Sequence, residues 1–437
     1  MQQRTLVALK TIARLALLSF PLAAQAQTPT ATINWIDVRQ QIDGFGAAAA
    51  WTAPSMTDAQ ADLFFSPTAG IGLSLVRERI PVDGTVEGCV TMQKAVARGA
   101  KAWATAWSPP ASMKSNGSVN NGGTLLAGSY QTYANYQKAY IQNVQSQCGV
   151  TLYAISVQNE PDYATTYESA IWTGQNFHDY ILNNLGPTLA AAGLATKIIM
   201  PEYSSWNWSL ADVTMKDAAA VAYVPIVATH GYGGSPQPYA LGQGLGKHLW
   251  ETEVSDFGKP DASIVSGLTY AIEIHNTMTI ANGNAWHYWW LIDGANNPDN
   301  EGLTLQDGVT VTKRLYTIGN FSKFIRPGWV RIGGTANPVG GVYVSAYKDL
   351  SSGTFAIVAI NQNGTAVPLN FVLNGFPAAS VTPWVTSASL DLAQQPSISA
   401  DGGAFSGTLL ASSVTTFISK LSSAAVAPPT NLNATVH

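Results

Sequence analysis

Short apolar runs alternate with helix-like stretches over the first two thirds of the chain, from about residue 42 to residue 315. Near-continuous apolar runs of this length predict the strands of a parallel sheet that is covered on its outer face. The predicted strands are residues 44–51, 71–77, 101–107, 152–158, 197–200, 226–229, 248–250 and 285–289. The predicted helices lie near residues 90–98, 130–145, 172–192, 210–222 and 263–281.

The number of these units predicts an α/β fold, a closed (β/α)₈ TIM barrel, over residues 43–320. Eight strands, most of them followed by a helix, fit a barrel better than an open sheet. A doubly wound sheet would need a glycine-rich phosphate turn after its first strand. Gly44-Phe-Gly46 lacks the rest of that fingerprint.

After residue 320 the pattern changes to short alternating runs broken by Gly, Asn and Pro, at residues 342–347, 354–360, 367–373 and 414–419. This pattern predicts a side β-sandwich over residues 321–421. The segment 27–42 contains another strand-like run and is expected to join the sandwich. The tail, residues 422–437, is typical of a linker that leads to a further module.

The first 26 residues have the pattern of a secretory signal peptide. Three basic residues precede an apolar stretch at residues 15–24, and Ala24-Gln25-Ala26 supplies a cleavage site. We therefore expect a secreted protein, extracellular or periplasmic. Cleavage would remove three basic residues and no acidic one, which changes the net charge from -4 to -7.

Composition narrows the function classes. Hydrophobic residues make up 46% and charged residues 11%, with 13 Trp and 17 Tyr, so the chain can bury a core and is not disordered. The acidic balance without Lys/Arg clusters argues against nucleic-acid and membrane-surface partners. The six His show no zinc-ligand spacing, so no metal is expected. Aromatic residues at this density are typical of grooves that bind sugars.

The two cysteines of the mature chain are predicted to be free thiols, although secretion would permit a disulfide. Cys89 is expected near the catalytic end of the barrel, and Cys148 near the opposite end. A helix of ten or more residues spans about 15 Å. Bridged Cα atoms lie within about 7 Å of each other.

Two glutamates follow predicted strands at the face where barrel enzymes place their active sites. Glu160 closes the fourth strand in Gln-Asn-Glu-Pro, and Glu253 follows the seventh strand in Trp-Glu-Thr-Glu. One protonated and one ionised carboxyl group at one mouth are what cleavage of a glycosidic bond requires. Glu251 has the same strand parity as Glu253, so alternation does not separate them.

Six motifs in order carry a resemblance to a known family. They are residues 42–46 (Ile-Asp-Gly-Phe-Gly), 107–110 (Trp-Ser-Pro-Pro), 157–161 (Val-Gln-Asn-Glu-Pro), 250–253 (Trp-Glu-Thr-Glu), 288–290 (Tyr-Trp-Trp) and 321–328 (Phe-Ser-Lys-Phe-Ile-Arg-Pro-Gly). The chain resembles the retaining glycoside hydrolases of the large barrel clan, and within them family 30, whose bacterial xylanase branch is most similar. The resemblance also implies the attached β-sandwich.

The resemblance implies roles for the site residues. Glu160 would be the acid/base and Glu253 the nucleophile, since the family's Thr-Glu ending selects Glu253 over Glu251. Asn159 would bind the sugar 2-hydroxyl, and Arg77 would keep Glu253 ionised. Two further groups around the nucleophile are expected at the end of the sixth strand, and three tryptophans are expected to be sugar platforms, at least one of which could instead be barrel core. These residues are His230 and Tyr232, then Trp107, Trp289 and Trp290.

We therefore expect a secreted, retaining endo-β-1,4-xylanase that acts on xylan as a monomer, without metal or organic cofactor. Another β-glycosidase of the same family remains an alternative: a glucosidase, a galactanase or an exo-enzyme that releases xylobiose. A carbohydrate-binding protein without catalysis is an alternative of a different class, and the presence of both carboxylates weighs against it.

One departure from the family pattern concerns specificity. The best-known bacterial branch binds a methylglucuronate side chain of xylan with an arginine shortly after Tyr-Trp-Trp. In this chain no basic residue follows until Lys313, and Asp293, Asp299 and Glu301 make the loop acidic. We therefore expect cleavage that does not depend on glucuronate, although Lys259 could partly substitute if its loop folds inward.

Overall fold

The computed structural model describes residues 27–294 and 299–421, which form a parallel barrel and a second, mostly antiparallel sheet. The predicted signal peptide (1–26) and linker (422–437) lie outside the described residues. In the part of the chain that is described, no helix combines the length and the apolar character that crossing a membrane requires.

The strands in chain order are β1 (Thr30–Gln41), β2 (Gly44–Ala48), β3 (Leu75–Arg79), β4 (Lys101–Thr105), β5 (Ala154–Ser156), β6 (Lys197–Tyr203), β7 (Ile226–Thr229), β8 (His248–Glu251), β9 (Ala285–Ile292), β10 (Gly302–Thr304), β11 (Val330–Gly334), β12 (Val342–Lys348), β13 (Thr354–Asn361), β14 (Val367–Asn374), β15 (Ser380–Thr386), β16 (Ala393–Gln394), β17 (Ile398–Ser399), β18 (Ala404–Leu409) and β19 (Ser413–Lys420).

The α-helices are α1 (Asp58–Phe65), α2 (Cys89–Ala97), α3 (Tyr130–Cys148), α4 (Gly174–Tyr180), α5 (Gly186–Ala191), α6 (Asp212–Met215), α7 (Ala218–Val221), α8 (Ala240–Gly244), α9 (Ile264–Asn276) and α10 (Lys313–Ser322). A π-helical segment, Ile181–Leu185, joins α4 to α5, and another, Thr277–Ala281, extends α9. The helix predicted at residues 210–222 is instead two helices of four residues each.

Strands β2 to β9 are parallel neighbours in chain order, and β9 pairs with both β8 and β2, which closes an eight-stranded barrel. This confirms the predicted (β/α)₈ architecture. A short additional strand, β10, pairs with β9 outside the ring. Because all barrel strands point the same way, their carboxyl ends form one face of the barrel.

The barrel interior is a packed core below that face. Trp103 and Trp250 point inward with their ring centroids 5.8 Å apart, and small residues such as Ala154 and Ala228 fill the remaining space. Trp103 Nε1 donates a hydrogen bond to His287 Nε2 (3.2 Å). The site residues therefore stand on a floor of fully buried rings, which fixes the strands that carry them.

The predicted side β-domain is confirmed. Its strands form one sheet in the order β16-β15-β19-β13-β12-β11-β1-β14-β18, with β17 paired to β15. The sheet curls around its own core, where the rings of Phe371, Phe405 and Phe417 lie about 5 Å from one another. The strand-like run predicted in segment 27–42 is β1, which pairs with β11 and β14.

The prediction of two free thiols is wrong. Cys89 and Cys148 form a disulfide, with their Cα atoms 5.1 Å apart. The prediction placed Cys89 near the catalytic end of the barrel because it lies near the start of the helix after the second strand, and it placed Cys148 near the opposite end. In the structure residues 80–88 precede α2, whose first turns meet the last turn of α3, and Gln93 Nε2 donates to Cys148 O (2.7 Å).

We expect Cys89→Ser to lower the free energy of unfolding by about 4 kcal/mol, because the disulfide closes a loop of about 60 residues in the unfolded chain. Urea unfolding of the oxidised wild type and of the variant measures this difference. Thiol titration of the denatured, unreduced wild type should detect no thiol, and two thiols would contradict the disulfide.

Candidate active site

An open cleft of about 1080 Å³ lies over the carboxyl ends of the barrel strands. Most of the predicted site residues line it, and two others, Arg77 and His230, lie buried directly beneath its surface. The lining residues that were predicted are Trp107, Asn159, Glu160, Tyr232, Glu253, Trp289 and Trp290. The structure therefore brings all nine predicted residues to one place.

Glu160 follows β5 and is held by its backbone in a left-handed conformation with φ of 43°. Its N–H donates to the carbonyl of Glu202 (3.1 Å), and the carboxylate lies 3.3 Å from His230 Nδ1. Such a conformation is costly for a residue with a side chain and recurs at functional sites. It aims the Glu160 carboxyl group into the cleft, where the residue is 8% exposed.

Glu253 lies opposite, two residues after β8 ends. One of its carboxylate oxygens lies within 4.8 Å of one on Glu160, and retaining glycosidases hold their two carboxyl groups about 5 Å apart. Tyr232 Oη donates to Glu253 Oε1 (2.8 Å), and the Arg77 guanidinium donates to Oε2. Burial raises the pKa of Glu253, while the charges of His230 and Arg77 oppose that rise.

Arg77, on β3, is fully buried between two carboxylates. Besides Glu253, it donates to Asn159 Oδ1 (2.6 Å) and Glu202 Oε1 (3.0 Å), and it stacks on the Trp107 ring at 4.6 Å. Burial alone would lower its pKa, but the charges of Glu202 and Glu253 raise it. Because Asn159 Oδ1 accepts from Arg77, the donor left for a sugar hydroxyl is Asn159 Nδ2.

Glu202 is a buried carboxylate that the sequence did not single out as a site residue. It lies near the end of β6 with φ of 56°, and Thr105 Oγ1 donates to its Oε2 (3.0 Å). Burial alone would raise its pKa, but Arg77 and then His230 lower the pKa of Glu202 to about 2. The available signal was its position: an acidic residue at the carboxyl end of a buried strand.

His230 lies between the two predicted catalytic carboxylates and is fully buried. Its Nε2 is 3.8 Å from Glu253 Oε2 and 3.7 Å from Glu202 Oε1. Burial alone would lower its pKa, but Glu253 and Glu160 contribute to raising the pKa of His230 to about 10. The carboxyl groups of Glu160, Glu202 and Glu253 therefore surround two cations, Arg77 and His230, at the base of the cleft.

The three predicted tryptophans form one wall. The ring centroids of Trp107 and Trp289 are 5.8 Å apart, and those of Trp289 and Trp290 are 4.9 Å apart and stacked. Trp107 and Trp289 are buried, and Trp290 is half-buried. The rim adds large aromatic residues that sequence spacing did not locate: Trp51 (44% exposed), Tyr163 (54%), Tyr167 (53%) and Phe257 (64%).

Within residues 27–294 and 299–421, two groups of side chains each bring three potential metal ligands within 4.8 Å of one another: Glu160, His230 and Glu253, and separately Asp293, Asp299 and Glu301. In the first group the raised pKa of His230 keeps its imidazole protonated, and a protonated ring has no lone pair to give to a metal. The expectation of no metal stays a prediction.

Carboxylates this close at the mouth of a (β/α)₈ barrel are the pair with which retaining enzymes cleave glycosidic bonds, and the fold and site define a glycoside hydrolase. A family model described as the glycosyl hydrolase family 30 TIM-barrel domain matches residues 86–259. The chain is 36% identical over 404 residues to glucuronoxylanase XynC of Bacillus subtilis, covering 89% of this chain and 91% of that protein.

Solved structures agree. The family 30 subfamily 8 xylanase Xyn30A from Clostridium acetobutylicum has a TM-score of 0.81 at 37% identity, covering 90% of this chain and 99% of that one. A family 30 endoxylanase from Clostridium papyrosolvens has a TM-score of 0.78 at 34% identity, covering 90% of this chain and 100% of that one. The chain belongs to glycoside hydrolase family 30.

Proposed function

We propose that this protein is a secreted, retaining endo-β-1,4-xylanase whose cleavage of xylan does not depend on glucuronate side chains. The observation that carries the proposal is the close Glu160–Glu253 pair in an open, aromatic-lined cleft. Similarity to a glucuronoxylanase and to two family 30 xylanases supports xylan as the substrate. An open cleft also suits attack within a chain.

In this mechanism Glu253 Oε attacks the anomeric carbon while the Glu160 carboxyl group gives its proton to the departing glycosidic oxygen. The bond to the leaving sugar breaks as the bond to Glu253 forms. Glu160, now ionised, then takes a proton from a water molecule, whose oxygen displaces Glu253. Two displacements return the starting configuration. His230, beside Glu160, would stabilise its ionised form between the two steps.

Independence from glucuronate is supported by the charges around the cleft. Among the described residues that line the cleft there is no Lys or Arg. The acidic residues that line it outside the catalytic pair are Glu168, Asp256 and Glu301. Burial, followed by the charge of Asp299, raises the pKa of Glu301 to about 8, so this residue is largely uncharged at neutral pH. The absence of an arginine that could bind the glucuronate therefore supports the proposal more than repulsion of the glucuronate by the acidic loop does.

Lys259 is not among the residues that line the cleft, which argues against its taking the place of that guanidinium. It lines an adjoining cavity of about 380 Å³, and its backbone carbonyl accepts a hydrogen bond from Asn300 Nδ2 (2.9 Å). Two residues earlier, Phe257 lines the cleft and stacks on Tyr232, with ring centroids 5.7 Å apart. An uncharged aromatic ring thus occupies this side of the cleft.

We expect similar kcat/KM values, within about tenfold, on glucuronoxylan, arabinoxylan and linear xylo-oligosaccharides. An enzyme that bound the uronate with an arginine would lose a charged hydrogen bond worth roughly 1.5–3 kcal/mol on the undecorated substrates. Mass spectrometry of the products checks the point of cleavage. Hydrolysis only beside glucuronate branches would contradict the proposed specificity, and release of xylobiose alone would indicate exo-action.

We propose in addition that residues 1–26 direct secretion. The mature chain would then consist of a barrel over residues 43–320, a side β-domain of residues 27–42 and 321–421, and a linker over residues 422–437. A monomer that acts on xylan without a metal or organic cofactor stays the prediction.

A further inference from the structure

Strands β8 and β9 have the fewest paired residues of any neighbouring strands in the barrel, beside the segment that carries Glu253. Strands β7 and β8 pair at four positions, and β2 and β9 pair at five. Between β8 and β9 the ladder is a single pair, Trp250 with Ala285. Backbone N–H groups that follow this pair on both strands are buried and need other acceptors.

The carboxylate of Glu251 supplies these acceptors. Glu251 Oε1 accepts from the backbone N–H of Glu253 (2.9 Å), and Oε2 accepts from the backbone N–H of His287 on β9 (3.1 Å). One side chain thus bridges the two strands where their ladder stops. Glu251 is 1% exposed, so no water competes for these bonds.

A further hydrogen bond joins the His287 ring to the backbone of Glu251. Burial lowers the pKa of His287 to about 3, so the ring is neutral. Its Nε2 accepts from Trp103 Nε1, which leaves the proton on Nδ1, and Nδ1 donates to the carbonyl of Glu251 (2.9 Å). The side chain and the backbone of Glu251 are therefore both tied to β9.

Alternation along the strand did not separate Glu251 from Glu253, but the structure does, because β8 ends between them. Regular alternation would point Glu251 and Glu253 the same way, but β8 ends at Glu251. Beyond it, Gly231 N–H donates to the carbonyl of Glu253 (2.9 Å), and only Glu253 reaches the cleft. The backbone of Glu253 is thus held on one side by the β7 segment and on the other by the Glu251 carboxylate.

We propose that Glu251 is a positioning residue, whose carboxylate replaces the missing β8–β9 ladder and fixes the backbone of the nucleophile Glu253. This inference rests on the proposed function, because it takes Glu253 to be the nucleophile. Positioning matters here since attack on the anomeric carbon requires close, aligned approach, and a displacement of about 1 Å can cost a hundredfold in rate.

A purely structural role for Glu251 is the competing explanation. A second acid, the half-buried Glu273 on α9, lies behind β8, and desolvation of its carboxyl group raises its pKa to about 8. Its Oε1 has no hydrogen-bond partner among the described residues and lies where a side chain at Gly231 would stand, 2.4 Å from an ideal Cβ. Burial, and then Glu273, raise the pKa of Glu251, whereas the N–H groups of His287 and Glu253 that donate to its two oxygens favour the ionised form and oppose that rise. A residue kept only for packing would affect stability without altering the chemical step.

The test is Glu251→Gln, which keeps the shape but has one acceptor oxygen instead of two. We expect kcat on linear xylo-oligosaccharides to fall roughly ten- to a hundredfold, with KM changed less than about twofold. Trapping by an aryl 2-deoxy-2-fluoro-xylobioside, which stalls at the glycosyl-enzyme, should slow by the same factor. Peptide mass spectrometry should still find the label on Glu253.

The possible outcomes distinguish the positioning role of Glu251 from the assignment of Glu253 as the nucleophile. Wild-type trapping rates in Glu251→Gln, with the label on Glu253, would overturn the positioning role and leave the proposed function intact. A label on Glu251 in the wild type would instead overturn the assignment of the nucleophile. Glu87→Gln, the same change at an exposed glutamate, is the matched control and should behave as the wild type.

Thermal unfolding shows whether Glu251→Gln is folded. If it does not fold, Glu251→Asp becomes the deciding variant, because it keeps the carboxylate but is one methylene too short to bridge both N–H groups. Its kcat should then fall with KM nearly unchanged. A folded Glu251→Asp with the wild-type kcat would overturn the proposal.

Discussion

Glu253→Gln should lower kcat on xylan by roughly 10⁴-fold or more, as expected when a covalent nucleophile is removed, while the protein stays folded. The amide cannot attack the anomeric carbon, but it keeps the size of the side chain and an oxygen that can accept from Arg77 or Tyr232. Initial rates on xylan and thermal unfolding of the same preparation measure the two effects.

Chemical rescue identifies the missing group. In Glu253→Ala, azide can enter the space of the carboxylate and displace an activated aryl leaving group, which gives a glycosyl azide of inverted configuration. The same azide treatment of Glu251→Ala should give no such product, since the Glu251 carboxylate does not face the cleft. Near-normal activity of Glu253→Gln would direct attention to Glu251 or Glu202.

The barrel could be predicted because its strands are buried on both faces and therefore show as apolar runs. Runs such as residues 226–229 coincide with the observed β7, and the others differ from the observed strands by a few residues at their ends. The side domain was predicted from four of its strands. Short strands such as β16 and β17, two residues each, have no periodic signal to detect.

The site could be predicted as far as position along a strand determines it. Glu160 and Glu253 come together because the carboxyl ends of parallel strands share one face. Glu202 was missed because the predicted strand 197–200 stopped short of the observed end of β6 at Tyr203. The rim residue Phe257 was missed because it lies on a loop without a sequence period. Alternation did not separate Glu251 from Glu253, because alternation describes side chains only within a strand and β8 ends at Glu251.

The disulfide between Cys89 and Cys148 could not be predicted from the sequence for a different reason. Their sequence positions gave the correct helices, but the contact depends on where α2 begins relative to α3, which is set by the course of residues 80–88. Loop paths of this kind depend on packing with the neighbouring elements. The expectation that Arg77 would lower the pKa of Glu253 was likewise incomplete, because the opposing effect of burial is larger and requires the three-dimensional structure.

Arg77→Lys should cause the second large effect, lowering the free energy of unfolding by about 3–5 kcal/mol and kcat by at least a hundredfold. The guanidinium donates at once to Glu253, Asn159 and Glu202, whereas a single ammonium group at the end of a flexible chain cannot reach all three. At least one buried carboxylate or amide would lose its partner.

Arg39→Lys is the matched control, because Arg39 is half-exposed and pairs with Asp37 on the surface. It should change the free energy of unfolding by less than about 1 kcal/mol and leave kcat unaltered. Urea unfolding and steady-state rates on xylo-oligosaccharides measure both variants. If Arg77→Lys were as stable and active as Arg39→Lys, the carboxylates would not depend on the guanidinium. His230 would then be sufficient to balance the charge of the nucleophile, since its pKa of about 10 keeps it protonated at neutral pH.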